Sequence, residues 1–151
     1  LLQFNADAIL DDWKTDSKVM IDDMNTVKSE SLRLQNVHHK YLSYLKDINR
    51  TRYQFEKRYA LLFKNKSLYY EKDGFYTKEQ LDKFGWVYDP FDGLTRPKTK
   101  DKLKIYFDAD EHLLDLKNDI QELESMYEIV KHILKSFDNF TFFFNNLKVN
   151  E

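Results

Sequence analysis

The sequence contains no cysteine. Disulfides, cysteine-ligated zinc, a thiolate nucleophile and iron–sulfur clusters are excluded, a usage that fits a reducing cytosol. With only 3 glycines and 2 prolines in 151 residues, turn formers are too few for an all-β sandwich. No apolar run reaches the about 18 residues that a membrane span needs, and no basic-then-apolar signal segment opens the chain. The first residue is Leu1 and not methionine, so a processed or trimmed start is expected. Signatures of catalysis are missing too: there is no Gly-rich phosphate loop, Gly-x-Ser-x-Gly elbow or His-Glu-x-x-His pair. The expectation is a protein that is not an enzyme and carries no metal or cofactor. The histidines fit it. His38 and His39 are neighbours, which a helix points about 100° apart, so they cannot chelate one ion together. His112 sits beside Asp108, Asp110 and Glu111, a cluster that an acid-rich helix start explains.

What is present is a chain with 42% hydrophobic and 33% charged residues. That is enough for a core in a water-soluble protein, organised as one domain or one plus an extension. Its net charge of −2 hides an uneven distribution. Residues 1–27 hold 2 basic and 6 acidic groups, residues 28–70 hold 10 and 3, residues 71–100 hold 6 and 6, and residues 101–151 hold 6 and 11. A polyanion site, if the chain has one, belongs in 28–70.

That stretch is free of proline and glycine and repeats apolar residues at Leu34, Val37, Tyr41, Tyr44, Ile48, Phe55, Tyr59 and Leu62. The three-four alternation is a helical period, and these positions fall within roughly 80° of one another. Lys46, Arg50, Lys57 and Lys64 share a window of roughly 40° on the opposite side. A helix over 28–70 would be about 65 Å long, whereas a compact monomer of this size is roughly 40 Å across. Either the helix bends or other subunits cover what protrudes. Lys66 breaks the pattern, projecting roughly 200° from Lys46 on the apolar side. Two explanations stand: the helix ends before Tyr69-Tyr70, or Lys66 sits at a subunit boundary facing the path of a bound polyanion.

On the N-terminal side, Asn5 or Asp7 is positioned to cap a short helix through Ile9, Leu10 and Trp13. Val19–Val27 is a loop or short helix leading into the long one. Trp13 has two readings, a docking anchor for a partner or a residue packed on the long helix. Beyond Glu71 the helical signal fades. Asp73-Gly74, Asp89-Pro90, Asp92-Gly93 and Arg96-Pro97 are turn signals, with a short helix at Thr77–Phe84. Aromatic residues there (Phe75, Tyr76, Phe84, Trp86, Tyr88 and Phe91) precede a basic run from Lys98 to Lys104. Exposed rings beside cations suit single-stranded nucleic acid; rings that pin the loop to the helices are the alternative.

Helical order resumes with Asp108 as the expected cap and Glu111 three residues on. Leu113, Leu116, Ile120, Leu123, Tyr127, Val130, Leu134 and Phe137 continue as a coiled-coil-like seam of about three heptads. The tail Phe140-Thr141-Phe142-Phe143-Phe144 extends the stripe as a helix; as a strand it would be prone to aggregation. So much apolar surface points to a subunit interface through Phe137, Phe140, Phe143, Phe144 and Leu147, or to burial in the monomer. The fold expected is all-α: a single helical domain over 1–151, with an N-terminal segment 1–27, a long basic helix 28–70, an aromatic and basic loop insertion 71–107, and C-terminal helices 108–151.

Several stretches taken together resemble the UvsY family of phage recombination mediators. They are Trp13 with Asp16-Ser17, His39-Lys40-Tyr41, Lys64-Asn65-Lys66-Ser67-Leu68-Tyr69-Tyr70, Phe107-Asp108-Ala109-Asp110-Glu111 and Ile133-Leu134-Lys135-Ser136. Their order and spacing agree from about Ile9 to Val149. The resemblance implies a non-enzymatic helper of homologous recombination in the host cytoplasm. It would be a ring-like homo-oligomer (hexamer or heptamer) that binds single-stranded DNA and loads the phage recombinase in place of the phage single-strand-binding protein, with no membrane role. It also implies DNA contact at Lys64 and Lys66 and oligomer formation through the C-terminal helices. The segment Phe75–Lys104 departs from it, holding more aromatics and turns than expected. The full candidate set for nucleic-acid binding is Arg50, Lys57, Arg58, Lys64 and Lys66 on phosphates, with Tyr69 or Tyr70 stacking on a base. A helical adaptor whose basic face meets an acidic protein is the rival reading, and an amphipathic binder of anionic membranes a third.

Overall fold

The structure, a computed structural model, describes residues 5–18 and 24–149, with side chains described over 5–18 and 26–139. Among these residues it is all-α, with five helices and no strand. They are α1 (Ala6–Asp16), α2 (Met24–Glu71), α3 (Lys78–Phe84), α4 (Lys100–Asp108) and α5 (Glu111–Val149). The chain divides into two compact units, one of residues 1–54 and 119–151 and the other of residues 55–118. No helix among the described residues is long and apolar enough to cross a membrane.

In the first unit α1 starts where Asn5 caps it, its carboxamide accepting from the amides of Asp7 (2.8 Å) and Ala8 (3.4 Å). Two orphan donors of the first turn are thereby satisfied. Trp13 packs edge-on against Tyr41 of α2 at 5.4 Å and tilts against Phe137 of α5 at 5.5 Å. Of its two readings, packing on the long helix is the one that describes its surroundings. His38 meets Phe137, and the Arg52 guanidinium lies 5.2 Å over the Tyr127 ring. As residue numbers rise along α2 they fall along α5, so the two run antiparallel here.

The stripe read along α2 is the buried face: Leu34, Val37, Tyr41, Ile48 and Phe55 are buried, and Tyr44, Tyr59 and Leu62 are half-buried. On α5 the seam is broader than the sequence pattern. Met126 and Ile133 are buried, whereas Tyr127 and Leu134 are only half-buried. Strict heptad counting drifts by about 20° per heptad from a straight helix, and packing against α1 as well as α2 draws in the neighbouring row. Tyr41, Ile48, Leu123, Met126 and Val130 lose all contact with water. Each such side chain contributes about 1.5–3 kcal/mol through burial.

The polar contacts of this unit fasten α1 to α2. Asp16 accepts from the Lys40 ammonium at 2.8 Å and the Tyr41 hydroxyl at 2.9 Å. Arg33 donates to the carbonyls of Asp16 (3.1 Å) and Lys18 (2.5 Å), covering the C-terminal end of α1. Burial raises the Asp16 carboxyl, but the bonds from Lys40 and Tyr41 outweigh it and hold the group below its usual range.

The second unit contains the end of α2, α3, α4 and the start of α5. Thr77 and Gln80 form a reciprocal capping box at the start of α3. Gly85 ends α3 in the left-handed conformation at φ 75°, which only glycine adopts at little cost. The segment expected as a loop therefore carries two helices. α3 lies at the predicted Thr77–Phe84, and α4 grows from the basic run that precedes Asp108. The spacing of two in that run concealed a helix capped by Thr99 with Leu103 as its buried residue.

Candidate nucleic-acid interface

The excess of aromatics in this segment has a packing reason. Tyr69, Tyr70, Leu81, Phe91 and Leu103 form a buried cluster, with Tyr76, Trp86, Tyr106 and Phe107 packed against it. Ring pairs stand at the offset or edge-to-face separations that aromatic quadrupoles favour, as for Tyr70–Phe107 (5.1 Å) and Phe91–Tyr106 (4.7 Å). Tyr69 and Tyr70 thus belong to the core of the unit and offer no open face for a base. Their hydroxyls are also engaged, Tyr69 donating to the Val87 carbonyl and Tyr70 to Asp110. Burial, then the neighbouring carboxylates, push the Tyr69 hydroxyl up to about 12 and that of Tyr70 further. Arg96, lying over the Phe91 ring, donates to the Tyr69 and Tyr70 carbonyls and so covers the C-terminal end of α2.

Lys66 is the largest departure from the sequence reading. α2 continues through it to Glu71, so the helix does not end early. Lys66 is buried, with its ammonium 2.9 Å from Asp110 Oδ2 and both side chains 3% exposed. The same ammonium lies 4.0 Å over the Trp86 ring and 3.2 Å from His112 Nδ1. Asp110 is fully engaged. Its Oδ2 takes Lys66 and the Tyr70 hydroxyl (2.6 Å), and its Oδ1 takes the Leu113 amide (2.9 Å). Burial alone would raise the Asp110 carboxyl, but these three donors hold it below its usual range. Burial lowers the Lys66 ammonium by more than Asp110 restores. Asp110 also displaces Asp108 as the cap of α5, since Asp108 ends α4. The lysine on the apolar side of α2 is thus half of an internal ion pair.

The other basic candidates point outward. Lys46 and Arg50 are exposed in the first unit, and Lys57, Arg58 and Lys64 in the second, where the Arg58 guanidinium also lies 5.1 Å over Phe55. Phe137, expected at a subunit interface, is buried against Trp13 and His38 within the chain. The backbone of α5 is helical to Val149, but the side chains of Phe140, Phe143, Phe144 and Leu147 lie outside the described residues.

A family model described as "Recombination, repair and ssDNA binding protein UvsY" matches residues 12–151. The chain belongs to the UvsY family. No curated protein and no solved structure matches it. As a UvsY-family protein it falls among phage proteins of DNA recombination, repair and single-stranded DNA binding. The matched residues contain all of α2 and the aromatic cluster. Sequence reasoning missed Asp110 as the partner that removes Lys66 from the surface. The signal was available in the angle at which Lys66 leaves the helix.

Proposed function

We propose that the chain is a recombination mediator that binds single-stranded DNA as a homo-oligomer. It would promote loading of a phage recombinase in place of the single-strand-binding protein. The observation that carries this reading is the family match over 12–151, and the exposed cations of α2 support it. Lys57, Arg58 and Lys64 are its phosphate contacts in the second unit, with Arg50 in the first. Lys66, Tyr69 and Tyr70 build the surface that presents them. One chain makes few phosphate contacts, and linked copies bind a strand tightly because each raises the effective concentration of the next. The Phe-rich end of α5 joins the copies in this proposal.

The test combines fluorescence anisotropy on labelled oligo-dT with light scattering for mass. Binding should weaken with salt at a slope of about −0.7 per phosphate contacted. Lys64→Ala should flatten the slope by about 0.7 for each engaged subunit. Loading is read as recombinase filament formation on oligo-dT already coated with the single-strand-binding protein, with and without the chain. Absence of DNA binding at low salt would overturn the reading in favour of a helical adaptor for an acidic protein. Binding without any gain in filament formation would overturn the mediator role alone.

A further inference from the structure

A second feature of the 55–118 unit is not absorbed by its core. Between the end of α2, the start of α3 and the turn at Asp89–Leu94 lies a cavity of about 460 Å³, within the range of roughly 300–1,000 Å³ that takes small ligands. Its rim carries two rings outside the buried cluster, Phe75 at 49% exposure and Tyr88 at 66%. Tyr76 is the edge-to-face neighbour of Phe75 at 4.9 Å. The Lys78 ammonium lies 5.9 Å from the centre of the Tyr88 ring, and Lys72 stands on the same rim. Both lysines are exposed, and neither makes an ion pair among the described residues.

Both acids of this cavity have partners within the chain, and both stay exposed. Asp89 accepts from the amides of Phe91 (3.0 Å) and Gly93 (2.7 Å), which shapes the turn. Asp73 pairs with Arg96 at 3.6 Å, and Arg96 is itself committed to the end of α2. Toward solvent, beside an Asp73 carboxylate that is 96% exposed, stand two exposed rings and two cations that make no ion pair among the described residues. That is the chemistry of one nucleotide of a single strand, in which a base stacks on a ring and a phosphate meets an ammonium.

We infer that this cavity is a nucleotide subsite for single-stranded DNA, with Phe75 and Tyr88 stacking on a base and Lys72 and Lys78 meeting the flanking phosphates. The inference rests on the single-strand binding proposed above and adds a contact with the bases to the phosphate contacts of α2. It gives a role to two of the three rings that this segment leaves exposed, Phe84 being the third.

The test uses the whole chain with labelled oligo-dT and an abasic strand of equal length. Wild type should bind oligo-dT more tightly than the abasic strand. Joint replacement Phe75→Ala and Tyr88→Ala should weaken oligo-dT binding by roughly 5- to 140-fold for one stacked base. Its affinity for the abasic strand and its salt slope should stay unchanged. Joint replacement Lys72→Ala and Lys78→Ala should weaken both strands and flatten the slope by up to about 1.4 per engaged subunit. A measurement without variants completes the set: an iodouracil-substituted oligo-dT, irradiated on the wild-type chain, should cross-link to peptides containing Phe75 or Tyr88. Equal wild-type affinity for the two strands, or cross-links confined to α2, would overturn the subsite while leaving the single-strand binding reading intact. No binding to either strand would remove both.

Discussion

Replacing Lys66 with methionine should destabilise the second unit by about 3 kcal/mol, the lower end of the cost of breaking a buried ion pair. The magnitude follows from what Asp110 keeps. Both side chains are 3% exposed, so the carboxylate cannot recover water when the ammonium leaves. It does retain the Tyr70 hydroxyl and the Leu113 amide, two of its three donors. Methionine fills most of the lysine's volume beneath Trp86, so little cavity term is added. The double variant Lys66→Met/Asp110→Asn strands no charge and keeps an acceptor for Leu113. It should regain about 2 kcal/mol as a coupling between neighbours.

The pH dependence provides an internal control. The folded pKa of Asp110 is depressed, so its stabilisation is complete above the unfolded carboxyl value of about 3.9 and is lost as pH falls through the folded value. Lys66→Met removes two of the influences that depress it. The gap between wild type and variant should therefore be widest near neutrality and narrow as the carboxyl protonates. Urea unfolding, followed by far-ultraviolet circular dichroism and by Trp86 fluorescence in a Trp13→Phe background, measures both quantities. A single variant within about 1 kcal/mol of wild type at neutral pH, with no change on acidification, would refute the buried pair. It would place the ammonium in water, where ion pairs are worth that little.

Three further outcomes check other parts of the fold. Met126→Ala should cost about 2–5 kcal/mol in urea unfolding, and more than Leu134→Ala, because Met126 is fully buried whereas Leu134 is only half-buried. Gly85→Ala should cost about 1–2 kcal/mol from backbone strain alone, since φ is +75° and no atom lies within 4 Å of an added Cβ. Tyr41, Tyr69 and Tyr70 all have raised hydroxyl pKa values, first through burial and then through carboxylate neighbours. Their contribution is present below the unfolded value of about 10 and is lost as pH rises beyond it. Tyrosinate absorbance should show these three titrating late, together with loss of helix, and early titration in the native state would refute their burial.

The parts of this protein legible in its residues are those set by local periods. The three-four alternation on α2 named its buried face, because side-chain direction on a helix follows from residue number alone. Asn5 was readable for the same reason, since a cap bonds amides two or three residues away. α4 was hidden because one buried residue, Leu103, within a basic run carries no periodic signal. The all-α class and the family resemblance were also within reach of residue order; the five helices agree with the first and the match over 12–151 with the second.

Long-range pairing was not. Tyr70 and Asp110 are 40 residues apart in sequence and 2.6 Å apart in space. A lysine and two tyrosines beside a basic helix looked like a DNA contact because only their chemistry was visible. The fold turned them inward, where a carboxylate at the start of α5 and the aromatic cluster satisfy them. The same folding left Phe75 and Tyr88 outside the cluster. Residue type states what a side chain is able to bind, and tertiary packing assigns which side chains remain free to do so.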